Sequence, residues 1–335
     1  MRIPRRMLAA LALAALASGP TRAQTGDSDS GKRITIVVGY SAGGGYGHYA
    51  RTLARHLGRH LPGRPPVIVQ NMPGAATLTA VRYLDVTAPK DGTVIAMFDP
   101  ALIIRSVNAD TVKATLARVR WLGAMLRDIR VCYAWAATGI KTWDDLMARR
   151  EFVIGTTAKG SNAYVNGAIL QRILAAPVRQ IAGYPGSNEE RLAVERGELD
   201  GGCGSWSALP PDWIAAHRIN PLVSFSPKRP ADMPAGIPYA GDLVRDAAQK
   251  QVLALLNAAG ELARPLIVAR DVPAARVEAL RAALATTLAD ADFLADVRRQ
   301  ALPLDPVDGE EAERIHRVID AASPELAKRV RDVLE

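Results

Sequence analysis

The sequence predicts a two-lobed α/β protein with mostly parallel sheets. Three observations carry this. Short apolar runs suited to doubly buried strands alternate with amphipathic helical patterns. About 310 residues remain after an N-terminal leader, more than one core comfortably holds. The order strand, glycine- and hydroxyl-rich loop, helix start also occurs once in each half, at GYSAGGGYG (39–47) and GTTAKGSNAY (155–164).

The leader, residues 1–23, has a basic start at Arg2, Arg5 and Arg6, an apolar stretch from Met7 to Ala17, and small residues ending at Ala23. This predicts a secretory signal peptide, too short for a membrane span, and so an exported, periplasmic chain. The formal charge of +8 falls to about +4 once the leader's four arginines are set aside. Aromatics make up 5% of the chain and do not interleave with basic residues, which argues against nucleic-acid binding. An anionic small molecule suits the residual charge better. Cys132 and Cys203 can pair in an oxidising compartment, and the sequence leaves open whether they come close enough. Neither a C-x-x-C pair nor a His/Cys cluster calls for a metal.

In chain order, Ile34 to Val38 reads as a buried strand. Ala50, Leu53, Ala54, Leu57 and Leu61 then mark one face of a helix that Pro62-Gly63 stops. Strands at Val67–Val69 and Thr93–Met97 flank a helix through Leu78, Val81 and Leu84. A less regular stretch follows. Strands are expected at Val131–Trp135 and Phe152–Ile154, with a helix capped by Thr142 between them. An apolar helix leaves the second loop through Val165 and Ile169, and Ser187 or Asn188 can cap the next helix. Leu199–Cys203 and Pro221–Phe225 are further strands, and the remainder reads as helical.

Two chemistries compete for the first loop. GYSAG fits the G-x-S-x-G elbow that presents a nucleophilic serine, here Ser41. A secreted serine hydrolase would also need an acid and then a histidine downstream. His316 stands alone in the last third, on the charged face ERIHRVID. The dinucleotide and P-loop patterns fail on spacing. An anion cradle requires less: consecutive glycines let backbone N–H groups approach a ligand, and the following helix offers its positive end. Two such cradles across a cleft would grip a small carboxylate without catalysis or cofactor. His48 and Lys159 are candidate partners or solvated side chains, and Trp206 is a candidate for stacking or for packing.

VVGYSAGGGYGHYARTLARHL, VIVQNMPGAATL and APKDGTVIAM, followed by FVIGTTAKGSNAY and IAGYPGSNEERLAVERGELDGG, resemble the tripartite tricarboxylate transporter receptor (Bug) family of extracytoplasmic solute-binding proteins. The resemblance runs in order over about residues 33–225. It implies a type II periplasmic-binding-protein fold, two α/β lobes joined by two crossing strands with a ligand cleft between them. Residues 24–127 and 222–335 would form lobe 1, and 128–221 lobe 2. It also implies a monomeric receptor that hands a small organic acid to membrane transporter subunits, or a ligand-sensing subunit of the same fold. The first binding loop would be Tyr40, Ser41, Ala42, Gly43, Gly44, Gly45 and Tyr46, with His48 beyond it. The second would be Thr156, Thr157, Lys159, Gly160, Ser161 and Asn162, with Tyr184, Gly186 and Ser187 lining the remaining wall. One departure stands out: Gly47 occupies the place of a family Asp, and Gly45 that of a proline. Loss of that acid favours a plain organic acid over an amino acid.

Overall fold

Six strands build the first sheet: β1 (Ile34–Val38), β2 (Val67–Asn71), β3 (Val94–Met97), β4 (Val119–Leu126), β10 (Ala263–Ala269) and β11 (Val307–Asp308). Five build the second: β5 (Arg130–Trp135), β6 (Phe152–Thr156), β7 (Val178–Ala182), β8 (Gly201–Ser205) and β9 (Ile219–Ser224). The computed structural model describes residues 32–335, so the expected signal peptide lies outside the described residues.

The sheet orders are β11-β4-β10-β3-β1-β2 and β7-β6-β8-β5-β9. In the first, β1 runs parallel to both β2 and β3, and β10 returns antiparallel between β3 and β4. In the second, β6 runs parallel to β7 and β8, and β5 returns antiparallel between β8 and β9. The halves therefore share one plan, three parallel strands and an antiparallel neighbour. Burial explains the apolar runs: β1 is covered on both faces and is almost wholly buried, whereas edge strand β2 alternates between more and less exposed residues.

The expectation of a helical remainder is corrected by β10 and β11, and the less regular stretch holds the eight-residue β4. All seven residues of β10 are buried in the middle of the sheet. The sheets are accordingly mixed rather than mostly parallel.

Helices in the first half are α1 (Gly45–Leu57), α2 (Leu78–Val86), α3 (Ala101–Ser106), α4 (Asp110–Leu116), α5 (Trp143–Met147), α6 (Asn162–Ala168) and α7 (Ser187–Glu195). The rest are α8 (Pro211–Ala215), α9 (Ala240–Leu243), α10 (Ala247–Ala258), α11 (Ala274–Ala289), α12 (Ala291–Arg299), α13 (Gly309–Asp320) and α14 (Pro324–Leu334). Thr142 starts α5 with a reciprocal capping box to Asp145. Residues 127–129 carry the chain from β4 into β5, and the return passes through α9 and α10 to β10. The last helix packs on α10 and also on α6 of the second lobe. There the Tyr164 hydroxyl donates to the Leu334 carbonyl at 3.1 Å and Arg172 to that of Asp332 at 3.1 Å.

Cys132 and Cys203 face each other across β5 and β8 and form a disulfide, which resolves the pairing the sequence left open. Among the described residues, no helix is long and apolar enough to cross a membrane.

Candidate functional site

The carboxyl ends of the parallel strands in both sheets point toward the seam between the lobes, and the loops that leave them border a cavity of about 80 Å³. Lobe 1 contributes Tyr40, Gly44, Gly45, Tyr46, Asp99 and Arg264. Asp128 and Arg130 come from the crossing between the lobes. Lobe 2 supplies Thr157, Asn162, Ser187, Glu190, Ser205 and Ala208, among others. The space holds several water molecules, or a small organic molecule of the same bulk.

Helix starts frame this cavity. Helix α1 is capped by the extended backbone of Gly44 with no side chain on its first-turn N–H groups, and Gly45 and Tyr46 border the cavity. That is the geometry of an anion site. Helix α7 likewise starts at Gly186 without a side-chain cap and presents Ser187 and Glu190. The cradle at α6 differs from expectation. Ser161 caps it, and the Asn162 N–H donates to the Asp99 carboxylate of lobe 1 at 3.0 Å. A carboxylate does occupy that helix start, and it is the protein's own.

The glycines of the first loop allow the lobes to meet. A Cβ on Gly44 would lie 2.8 Å from the Ser187 hydroxyl, and one on Gly45 would lie 2.8 Å from the Cβ of Ala208. Both are closer than real side chains approach, so the seam closes only because these positions carry no side chain. Gly47 stands apart from this. Its missing Cβ would meet the Ala42 carbonyl at 2.6 Å, where Arg51 donates at 2.7 Å. No acid fits at that position, and the cleft takes its acids from Asp99, Asp128 and Glu190 instead.

The charges are deeply placed. Arg264 is 1% exposed and pairs with Asp128 at 3.4 Å. It also donates to Ser205 and lies over the rings of Tyr46 and Tyr49. Burial opposes its charge, but Asp128 and the two tyrosines outweigh that and hold its pKa above the ordinary value. Among the described residues, Arg130, 3% exposed, donates only to the neutral groups of Asn162, Asn166 and Asn257. Burial pulls its pKa down. Burial likewise raises Asp99, although Tyr40, Asn162 and Ala101 all donate to it. Tyr40 and Tyr46 are held well above the phenol range, chiefly by burial and then by Asp99, so both are neutral donors. The site can bind and orient a small anion.

Of the residues singled out in the sequence, Tyr40, Gly44, Gly45, Tyr46, Thr157, Asn162 and Ser187 border the cavity. Tyr184 lines a second hollow of the seam, shared with Tyr40 and Thr157. Ser41 donates to Glu189 of lobe 2 at 3.0 Å, and Gly186 packs against its hydroxyl. An elbow serine would face a histidine; this one faces a carboxylate across the seam. Gly43 packs on Asn188, Ala42 is exposed, and Thr156 is buried at the end of β6. Ser161 serves as a helix cap.

His48 and Lys159 are exposed and outside the cavity. Lys159 is carried outward because Gly160 turns the loop at φ +78° and packs on Arg105. Trp206 is buried in lobe 2 and donates to Asp232 at 3.0 Å. His316 is not freely solvated but packs 5.3 Å from the ring of Trp121. Asp99, Asp128, Arg130, Glu190 and Arg264 were missed. For Asp99, Arg130 and Arg264 the available signal was a charge inside or just beyond a strand-like apolar run, as in AMFDP, IRVCYAW and LARPLIVA.

The chain superposes on the periplasmic binding protein BugD with a TM-score of 0.72, covering 90% of this chain and 98% of that one at 16% identity. The fold is that of the periplasmic binding proteins. MatC from Rhodopseudomonas palustris, solved with bound malate, matches at a TM-score of 0.65 and 18% identity over 90% of this chain and 99% of its own. An R. palustris protein solved with adipate matches at 0.69 and 18% identity over 89% and 97%. No protein-family model and no curated protein sequence matches the chain.

Proposed function

We propose that this chain is an exported solute-binding receptor of the Bug type. It captures a small organic carboxylate between its lobes and delivers it to a membrane transporter of the tripartite tricarboxylate kind. It works in the periplasm as a monomer. The observation that carries the reading is the seam cavity, bordered by the uncapped start of α1, two neutral tyrosines and the buried Arg130, which no carboxylate among the described residues pairs. The likeness to proteins solved with malate and adipate supports it.

Mechanism follows from differential contact. A ligand touching both lobes adds stability only to the closed arrangement and draws the population toward it. Residues 127–129 and the return through α10 supply the hinge. No bond is made or broken, and Ser41 contributes a contact between lobes rather than a nucleophile.

The test is a thermal-shift panel on the purified protein with acetate, lactate, malate, adipate, citrate, glycine and alanine. Stabilisation by one or more of the acids, saturating with concentration, is expected. A flat response to every member overturns the reading.

A further inference from the structure

Glu190 is the fourth residue of α7, is 9% exposed and borders the cavity. Its Oε1 is buried and has no hydrogen-bond partner among the described residues. The neighbouring acids are provided for: Asp99 accepts from Asn162, Ala101 and Tyr40, and Asp128 is engaged by Ser205 and Arg264. A carboxyl group that borders the cavity without a hydrogen bond from a described residue can take one from a ligand.

Every charge packed around it bears on which partner that is. Burial is the largest influence, Arg191 pulls the other way, and Glu189 and Asp99 reinforce burial, so the carboxyl is pushed up to about 8. Tyr133 and Tyr184 complete the ionisable surroundings. Arg191 makes no ion pair among the described residues: it donates to Ala208 at 2.9 Å, with Gly43 and Asn188 at 3.5 Å. Protonated, Glu190 borders a cavity whose buried Arg130 has only neutral acceptors among the described residues. A ligand carboxylate satisfies both groups. A second carboxylate would meet Asp99 on the opposite lobe, in a space of about 80 Å³.

We propose that Glu190 determines specificity by donating its acid proton to one oxygen of the ligand's carboxylate, so that the site takes small monocarboxylates together with a proton. This rests on the carboxylate-receptor reading above. It adds that the ligand is short, carries one negative charge, and is held by a neutral acid as well as by amides.

The experiment measures acetate, lactate, malate, adipate, citrate, glycine and alanine by calorimetry between pH 6.0 and 9.5 on the wild type, E190Q and E190A. Circular dichroism of the unliganded variants confirms folding. Acetate or lactate should bind with constant affinity below pH 7 and lose about tenfold per pH unit above pH 8. Buffers of different ionisation enthalpy should reveal about one proton taken up per ligand at pH 9. E190Q, whose amide still donates, should bind within about threefold of wild type at pH 7 and lose the pH dependence, whereas E190A should bind about tenfold or more weakly.

Affinity independent of pH, or unaffected by either variant, overturns this inference while leaving the receptor reading intact. Preference for glycine or alanine, tightening as pH rises and lost in E190Q, overturns it too, because Glu190 would then be a counter-ion for an ammonium group. If no member binds at any pH, both readings fall.

Discussion

The carboxylate of Asp99 on the first lobe accepts the backbone N–H of Asn162, at the helix start of the second, at 3.0 Å. The same side chain accepts the Ala101 N–H at 2.9 Å and the Tyr40 hydroxyl, and it is 1% exposed. Asp99→Ala therefore leaves three donors without their acceptor in a buried seam. Stability should fall by about 3 kcal/mol, seen as a lower urea midpoint. Small-angle scattering should also report a larger radius for the variant. An unchanged midpoint would mean that the contact across the seam does not form in solution.

Gly45→Ala tests closure separately from folding. Alanine favours a helix over glycine by about 1 kcal/mol, so α1 itself should not suffer. The new Cβ would lie 2.8 Å from that of Ala208 on the other lobe. The variant should keep its unfolding midpoint, populate a more open form in scattering, and bind the acids at least tenfold more weakly. Wild-type affinity with wild-type scattering would refute the claim that this position must be bare.

Ser41→Ala removes one hydrogen bond across the seam, to Glu189. That bond contributes about 1 kcal/mol, so ligand affinity should drop less than tenfold. A fluorophosphonate probe should leave no label on the wild type. Labelling that Ser41→Ala abolishes would restore a nucleophilic role.

Cys132 and Cys203 are 71 residues apart in sequence and bonded between adjacent strands. Cross-linking a loop of that length stabilises by about 4 kcal/mol in the chain-entropy account. The double Cys→Ser variant, or the reduced wild type, should unfold at a correspondingly lower denaturant concentration. Because Cys203 also borders the cavity, binding should weaken in the same variant. Identical midpoints for oxidised and reduced protein would show that the bond adds no stability.

Strands β1, β2, β3 and β6 were legible because each holds a contiguous apolar run set off by glycine, proline or a cap, whereas β7, VRQIA, is not such a run and was not expected. The glycine-rich loops were legible for the same local reason. Strands β4 and β10 were not. Gly123 interrupts one, Arg264 and Pro265 the other, and helical patterns flank β10. Their stability comes from pairing with each other over a separation of more than a hundred residues, which no local periodicity records. The same concealment covered the site: Arg264 rides on β10, and Asp128 sits just past β4. Glu190 looked like an ordinary acid in a first helical turn, and only the approach of the other lobe makes it a buried wall. Lys159 erred the other way: it precedes the turn at Gly160 and stands exposed outside the cavity.

The terminal helix α14 grips the second lobe through its own last carbonyls, those of Asp332 and Leu334. Two linkers and this third tether leave the lobes little freedom to slide or twist. Separation must either pivot on an axis near α14 or release both bonds, at about 2 kcal/mol together. In the receptor proposed above, helix α14 would thereby act as a clutch. While it is engaged the jaws swing along one narrow arc, and once it slips they gain a wider range of orientations.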